Sequence, residues 1–421
     1  MSFEISEELI ERHNRRLKPA LDRGWAGFER ELKRRGTNPQ RLFLAARPFV
    51  VAVPSWGLAA GGTRFGRFPF PGEPRHLYEK LDDAATLHRL TRQNPTVSLH
   101  IPWDQTGNPA ALRAYARQLG LSFDAMNSNT FQDQPGQKLS YKFGSLCHTD
   151  PAVRGQAVAH NLEVIEIGKK LGSRALSVWI GDGGNYPGQV HFRRAFDRYL
   201  ESLEQIYAGL PRGWRLYLEH KPYEPAFYFT VNADWGASYL AASALGPKAL
   251  CLVDLGHHLP GTNVEAVVAR LIRQKKLGGF HFNDAQYGDD DLSAGSINPY
   301  RLFLVMNELQ DAAQDPAVKN FHPAFLLDQS MNLKDPIEDL IQSTEALFRA
   351  FSKALLVNRP ALHRCQEKND PVMAEQILKQ AFETDVTPLV QRVRFSNGGA
   401  IDPLALFRQS GYRPAKIKER G

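Results

Sequence analysis

Cysteine is scarce in this chain: Cys147, Cys251 and Cys365 are the only three among 421 residues. An odd, scattered set excludes a disulfide framework and reads as reduced thiols, so a cytoplasmic protein is expected. Long apolar runs are also lacking. None approaches the roughly 20 residues that span a bilayer, and no membrane association is expected. The opening residues, Met1-Ser2-Phe3-Glu4-Ile5-Ser6, lack the basic region and apolar core of a signal peptide. There is no internal repeat and no low-complexity segment. Charge of one sign is only in modest excess, with 52 Lys and Arg against 45 Asp and Glu, a net of +7. The basic residues gather at Arg12 to Lys18, Lys33 to Arg35 and Lys416 to Arg420 with acids mixed in, as on solvated helix faces. No nucleic-acid partner is expected.

What the chain does have is eight short, nearly continuous apolar runs. They are Phe49 to Pro54, Val97 to Ile101, Leu121 to Met126, Ala175 to Ile180, three that end at Lys221, His257 and Asp284, and Phe325 to Asp328. Segments between them, such as Gln156 to Leu171, Val190 to Tyr207, Val264 to Lys276 and Pro299 to Ala313, carry apolar residues three and four apart. Strand then helix, eight times, predicts an α/β fold, a (β/α)8 TIM barrel. Runs apolar on both faces suit strands buried on both faces. Residues 1–48 are expected to form an N-terminal helical extension, 49–334 the barrel, and 335–421 a C-terminal helical extension, with two helices over 335–394.

The ends of these runs carry chemistry. Glu219 and Lys221 lie two apart, so they share one side of a strand. A buried ion pair would explain them as simply as a ligand would. Asp254 and His257 follow on the next run, with Gly256 allowing the chain to bend. His281 stands between Phe280 and Phe282, where a hydrogen-bonded core histidine is the alternative. Asp289 and Asp291 could form a plain acidic turn, and Asp328 could cap one. Jointly, five acids and two imidazoles at one barrel mouth are too many like charges to leave unpaired. Oxygen and imidazole ligands without thiolate suit Mn²⁺, Co²⁺ or Mg²⁺. Seven ligands predict two divalent ions. Trp56, Trp103 and Trp179 lie at early strand ends, where they suit the C–H faces of a sugar. Ser330 ends the last strand. Gly181-Asp182-Gly183-Gly184-Asn185 lacks the lysine of a phosphate loop and reads as a turn.

Val53-Pro54-Ser55-Trp56-Gly57, Ser98-Leu99-His100-Ile101-Pro102-Trp103-Asp104, Phe123 to Asn129, Val253 to His258, and Gly279 to Asp284 with Tyr287 to Asp291 carry a resemblance. The chain resembles the L-rhamnose isomerases of the shorter, broad-specificity bacterial type, within the xylose isomerase-like barrel superfamily. The resemblance runs from about Phe49 to Pro403. It implies a homotetramer acting on a small-molecule sugar, converting L-rhamnose to L-rhamnulose, and D-allose or L-mannose besides, by a metal-assisted hydride shift. It also implies that Glu219, Asp254, His281 and Asp328 hold one ion, and that Asp254, His257, Asp289 and Asp291 hold a second. His100, Lys221 and Asp291 would be catalytic. Trp56, Trp103, Phe131, Trp179 and Ser330 would line the pocket, with Phe65 reaching a neighbouring subunit's site. The alternatives are a ketose 3-epimerase, which needs paired glutamates around one metal, a DNA-repair endonuclease of the same superfamily, which needs a basic groove, and a silent metal-stabilised binding protein.

Overall fold

Each of the eight apolar runs becomes a parallel strand. The computed structural model describes residues 3–59, 68–224, 228–288, 290–329 and 333–421. The strands are β1 (Val53–Pro54), β2 (Thr96–Ile101), β3 (Ser122–Ser128), β4 (Ala175–Val178), β5 (Arg215–Glu219), β6 (Ala249–Asp254), β7 (Leu277–Phe282) and β8 (Ala324–Leu327). They pair in sequence order. Ala52 then bridges Leu326 in parallel, which closes the sheet on itself. The fold is therefore a TIM barrel with extra helices. Among the described residues no helix is long and apolar enough to cross a membrane.

Alternation along β2 shows why the strands face as they do. Val97, Leu99 and Ile101 pack into the main apolar core. Ser98 and His100 take the opposite side. Inward-facing Ser98 donates to the Ala125 carbonyl and accepts from the Asn127 carboxamide. Several helices begin with an Asn or Asp cap followed by proline at the first turn, where a missing N–H costs nothing. Pro109–Gln118, Pro151–Leu171 and Pro299–Gln314 start this way.

The same device divides the C-terminal region. The stretch read as two helices over 335–394 contains four: Pro336–Leu355, Arg359–Glu367, Pro371–Phe382 and Thr387–Ser396. Asn358 before Arg359-Pro360 and Asp370 before Pro371 each restart the chain. The apolar stripe from Leu340 to Leu355 is real, but it belongs to the first of the four alone.

The seam between β1 and β8 is the barrel's weakest join. Strand β1 has only two residues, and Ala52 N donates to Phe325 O (2.8 Å) while Leu327 N donates to Ala52 O (3.1 Å). Helices from both ends of the chain cover this seam. Pro39–Ala46 packs on Pro336–Leu355 and on Thr387–Ser396, and Glu7–Arg34 packs on Thr387–Ser396. Phe49 pins the seam directly, stacked on Phe348 at 5.2 Å and tilted against Phe351 at 4.9 Å, with Phe325 at 6.3 Å. Phe49→Ala is therefore expected to cost about 3–5 kcal/mol, the usual loss for an emptied aromatic core position. Urea denaturation followed by far-UV circular dichroism measures it, and a loss below about 1 kcal/mol would show that the seam does not depend on this ring.

Candidate active site

Four parallel strands, β5 to β8, deliver one polar residue each to a single point. The ligand atoms of Glu219, Asp254, His281 and Asp328 all lie within 4.8 Å of one another. Glu219 and Asp254 are the last residues of β5 and β6, His281 is the penultimate residue of β7, and Asp328 follows β8. His281 Nδ1 is 3.1 Å from Glu219 Oε1 and 3.0 Å from Asp328 Oδ2. His257 joins from the loop after β6, its Nδ1 3.2 Å from Glu219 Oε1 and 3.9 Å from Asp254 Oδ1.

Neutral donors hold these carboxylates in place. Asn283 Nδ2 donates to both oxygens of Asp254, at 3.0 and 3.1 Å, and Gly256 N donates to Oδ1 at 2.7 Å. The Trp56 indole N–H donates to Asp328 Oδ1 at 2.8 Å. Asn283 had a sequence signal that passed unused: it lies two residues beyond His281, on the same side of the chain. Orientation of ligands by such neighbours is what metal sites require.

The electrostatics show a deficit of positive charge. Burial, opposed by His257 but reinforced by Asp328 and Glu219, pushes the Asp254 carboxyl up to about 7. Burial also acts to raise Glu219, but His281 and hydrogen bonds from both histidines outweigh it and hold that carboxyl below its ordinary range. Burial would lower His281, yet Glu219 and Asp328 hold it well above the usual imidazole value. Protons on Asp254 and His281 thus stand where a cation would serve better. Three carboxylates and an imidazole, with no thiolate, form a donor set that could bind a hard divalent metal ion.

The rest of the mouth is aromatic. Trp103 stacks on His100 at 4.1 Å, and the edges of Trp56 and Phe131 meet the same imidazole, each at 5.6 Å. Phe131 also meets Trp179 at 4.4 Å. Lys221 is buried, with Nζ 5.0 Å from the Trp179 ring centroid and 3.2 Å from Glu224 Oε2. Glu219 and Lys221 are therefore not each other's partner: the carboxylate turns to the histidines and the ammonium to Glu224. Asp104, which the sequence reading passed over, accepts from His100 N at 2.9 Å and from Lys80 Nζ at 2.8 Å, and Ser55 Oγ donates to it. It fixes the end of β2, which carries His100, and the turn that carries Trp103.

Other predicted residues fall elsewhere or outside view. Phe65, Asp289 and Ser330 lie outside the described residues. Asp291, at φ +49°, is not in the four-residue cluster. Its neighbour Asp290 accepts from the N–H groups of Gln286, Tyr287 and Gly288 and shapes the turn. Two other strand-end acids are structural. Asp182 is bound by Ser145 and Cys147 N–H groups, and Asp284 by Arg301 and the N–H groups of Ile297 and Asn298.

These shifts set a pH dependence. Asp254 and His281 keep protons in the folded state that the unfolded chain has released, so the cluster's own contribution to metal-free stability falls as pH rises through 7, while buried His88, His220 and His258, held below the ordinary imidazole value, contribute the opposite sign at lower pH. Mn²⁺ replaces those protons and reverses the loss, adding about 2.7 kcal/mol at one hundred times its Kd. Thermal melts from pH 5 to 8, with EDTA or with Mn²⁺, check this. Parallel curves for the two would rule out an ion at the cluster.

The chain is also similar to known proteins. The sequence profile described as xylose isomerase-like TIM barrel matches residues 88–310. A probable sugar isomerase of Rhizobium meliloti (strain 1021) is 56% identical over 420 residues, covering 100% of this chain and 97% of the relative. One from Mesorhizobium japonicum is 57% identical, covering 99% and 96%. The solved structure of an L-ribulose 3-epimerase superposes with TM-score 0.52 at 13% identity, covering 77% of this chain and 98% of that one, a likeness of fold. On its barrel, its profile match and these full-length relatives, the chain belongs to the xylose isomerase-like TIM barrel family.

Proposed function

We propose that this chain is an aldose–ketose isomerase that converts L-rhamnose to L-rhamnulose and accepts related aldoses such as D-allose. The observation that carries the reading is the meeting, at one barrel mouth, of an acid–histidine cluster, a buried lysine and an aromatic wall. Relatives named as probable sugar isomerases support the reaction class. The cluster holds a single glutamate among its four ligands, so the paired glutamate bases of a 3-epimerase are lacking among the described residues.

Glu219, Asp254, His281 and Asp328 would hold one divalent ion and Asp254, His257, Asp289 and Asp291 a second, Mn²⁺, Co²⁺ or Mg²⁺. Such ions supply Lewis acidity toward neighbouring oxygens of the opened sugar. His100, clamped between Trp103, Trp56 and Phe131, donates to the ring oxygen and aids opening. Lys221 Nζ donates to O1, where negative charge grows as hydrogen arrives on C1. A hydride passes from C2 to C1, and the proton released at O2 returns to O1. Trp56, Trp103, Phe131 and Trp179 pack on the sugar's C–H faces and exclude water, and Ser330 would be a further substrate contact. A homotetramer, with Phe65 reaching into the neighbouring site, completes the reading.

Incubation with L-rhamnose, D-allose and L-mannose in the presence of Mn²⁺ should yield ketose, and EDTA should abolish it. Deuterium at C2 should be retained at C1; washout into solvent would replace the hydride shift with proton abstraction from carbon. Lys221→Met should lower kcat by about 10²–10³-fold, the usual cost of removing one donor to a developing oxyanion. Unchanged kcat would remove the lysine from the chemistry.

A further inference from the structure

A second pocket lies beside the end of β2, the strand that carries His100. Its volume is about 470 Å³, within the range of small-molecule sites. Pro102, two residues beyond His100, Asn129, just past β3, and Gln105, Gln134 and Tyr141 are among its lining residues. None of its nine lining residues is Asp, Glu, Lys or Arg, and four are glutamines. In a chain that is 23% charged, that lining is selective. It offers amide donors and acceptors, a phenol and an imidazole, with the faces of Pro102 and Pro135 between them. An ionic ligand would find no counter-charge there. A neutral ligand with many hydroxyls would find a partner at every wall.

Asn129 supplies a second observation. It is 2% exposed, and neither its carboxamide oxygen nor its nitrogen has a hydrogen-bond partner among the described residues. A buried amide lacking both partners calls for an occupant. A hydroxyl both donates and accepts, so a polyol can satisfy the two atoms together. The carboxamide is closed to solvent, its terminal torsion is soft, and turning it gives up no hydrogen bond. Gln137 and Gln156 are already committed: both donate to the Leu139 carbonyl, at 2.6 and 2.9 Å, and hold the pocket's outer loop. The cavity is thus braced, with its floor left unsatisfied.

We propose that this pocket is a second, non-catalytic binding site for a neutral polyhydroxylated molecule of the sugar or sugar-alcohol class. The inference rests on the pocket's own residues and not on turnover at the barrel mouth. D-Glucitol, which has no carbonyl to isomerise, is the probe. Equilibrium dialysis of radiolabelled glucitol against the metal-loaded chain counts its sites. Gln105→Leu/Gln134→Leu alters the rim of the pocket without touching the barrel mouth, and Asn129→Leu alters its floor, with circular dichroism confirming folding. The expected result is an equivalent of glucitol whose affinity drops tenfold or more in the rim double variant, while isomerase kcat/KM stays within twofold. That equivalent should persist in Lys221→Met. Binding that is unaffected by the rim variant, or lost only with Lys221→Met, would overturn the pocket proposal and leave the isomerase reading standing. Glucitol binding that survives Lys221→Met in a chain that turns over no aldose would do the reverse.

Discussion

Three carboxylates brought within a few ångströms of one another repel, and the architecture of the barrel mouth answers that repulsion. Glu219, Asp254 and Asp328 come from three different strands, so no local rearrangement can separate them without disturbing the sheet. His281 at their centre takes up a proton, and Asp254 holds on to one. Isolated buried charges cost far more than the usual stability of a domain permits. The site is therefore an imbalance built into the fold, and a divalent cation resolves it more completely than protons do.

The neighbours of the cluster read most simply as devices for keeping that imbalance in one geometry. Asn283 and Gly256 N–H bind Asp254 without adding charge, and Trp56 binds Asp328 in the same way. Asp104, with Lys80 and Ser55, sets the end of β2 and the turn after it. Rigid placement of polar groups in a dry site is what allows them to act on developing charge without reorganising. The aromatic rings pack on one another around His100 and wall the mouth with flat apolar faces.

Much of this was legible in the residues. Continuous apolar runs with helical spacing between them could hardly form anything but a parallel barrel, and Glu219, Asp254, His281 and Asp328 stood out because acids and histidine ended strands buried on both faces. Supporting residues were harder to see. Asn283 and Asp104 are uncharged or ordinarily placed, and only three-dimensional register shows which group each one binds. Asp182 and Asp284 show the converse: a strand-end acid binds backbone N–H groups as readily as it lines a mouth. The C-terminal helices were undercounted because Pro360, Pro371 and Pro388, each in the first turn of a new helix, were not read as starts.

The indole of Trp56 lies just after β1 and its partner Asp328 just after β8, the two strands that meet at the thinly bonded seam. One hydrogen bond therefore ties the pocket wall to a ligand carboxylate across the line where the cylinder was sewn shut. Loosening of that line pulls the two apart before the remaining strands lose their pairing. Local fraying there would silence the enzyme while most of its ordered backbone survives, and the helices wrapped over the join from both termini guard its chemistry as much as its shape.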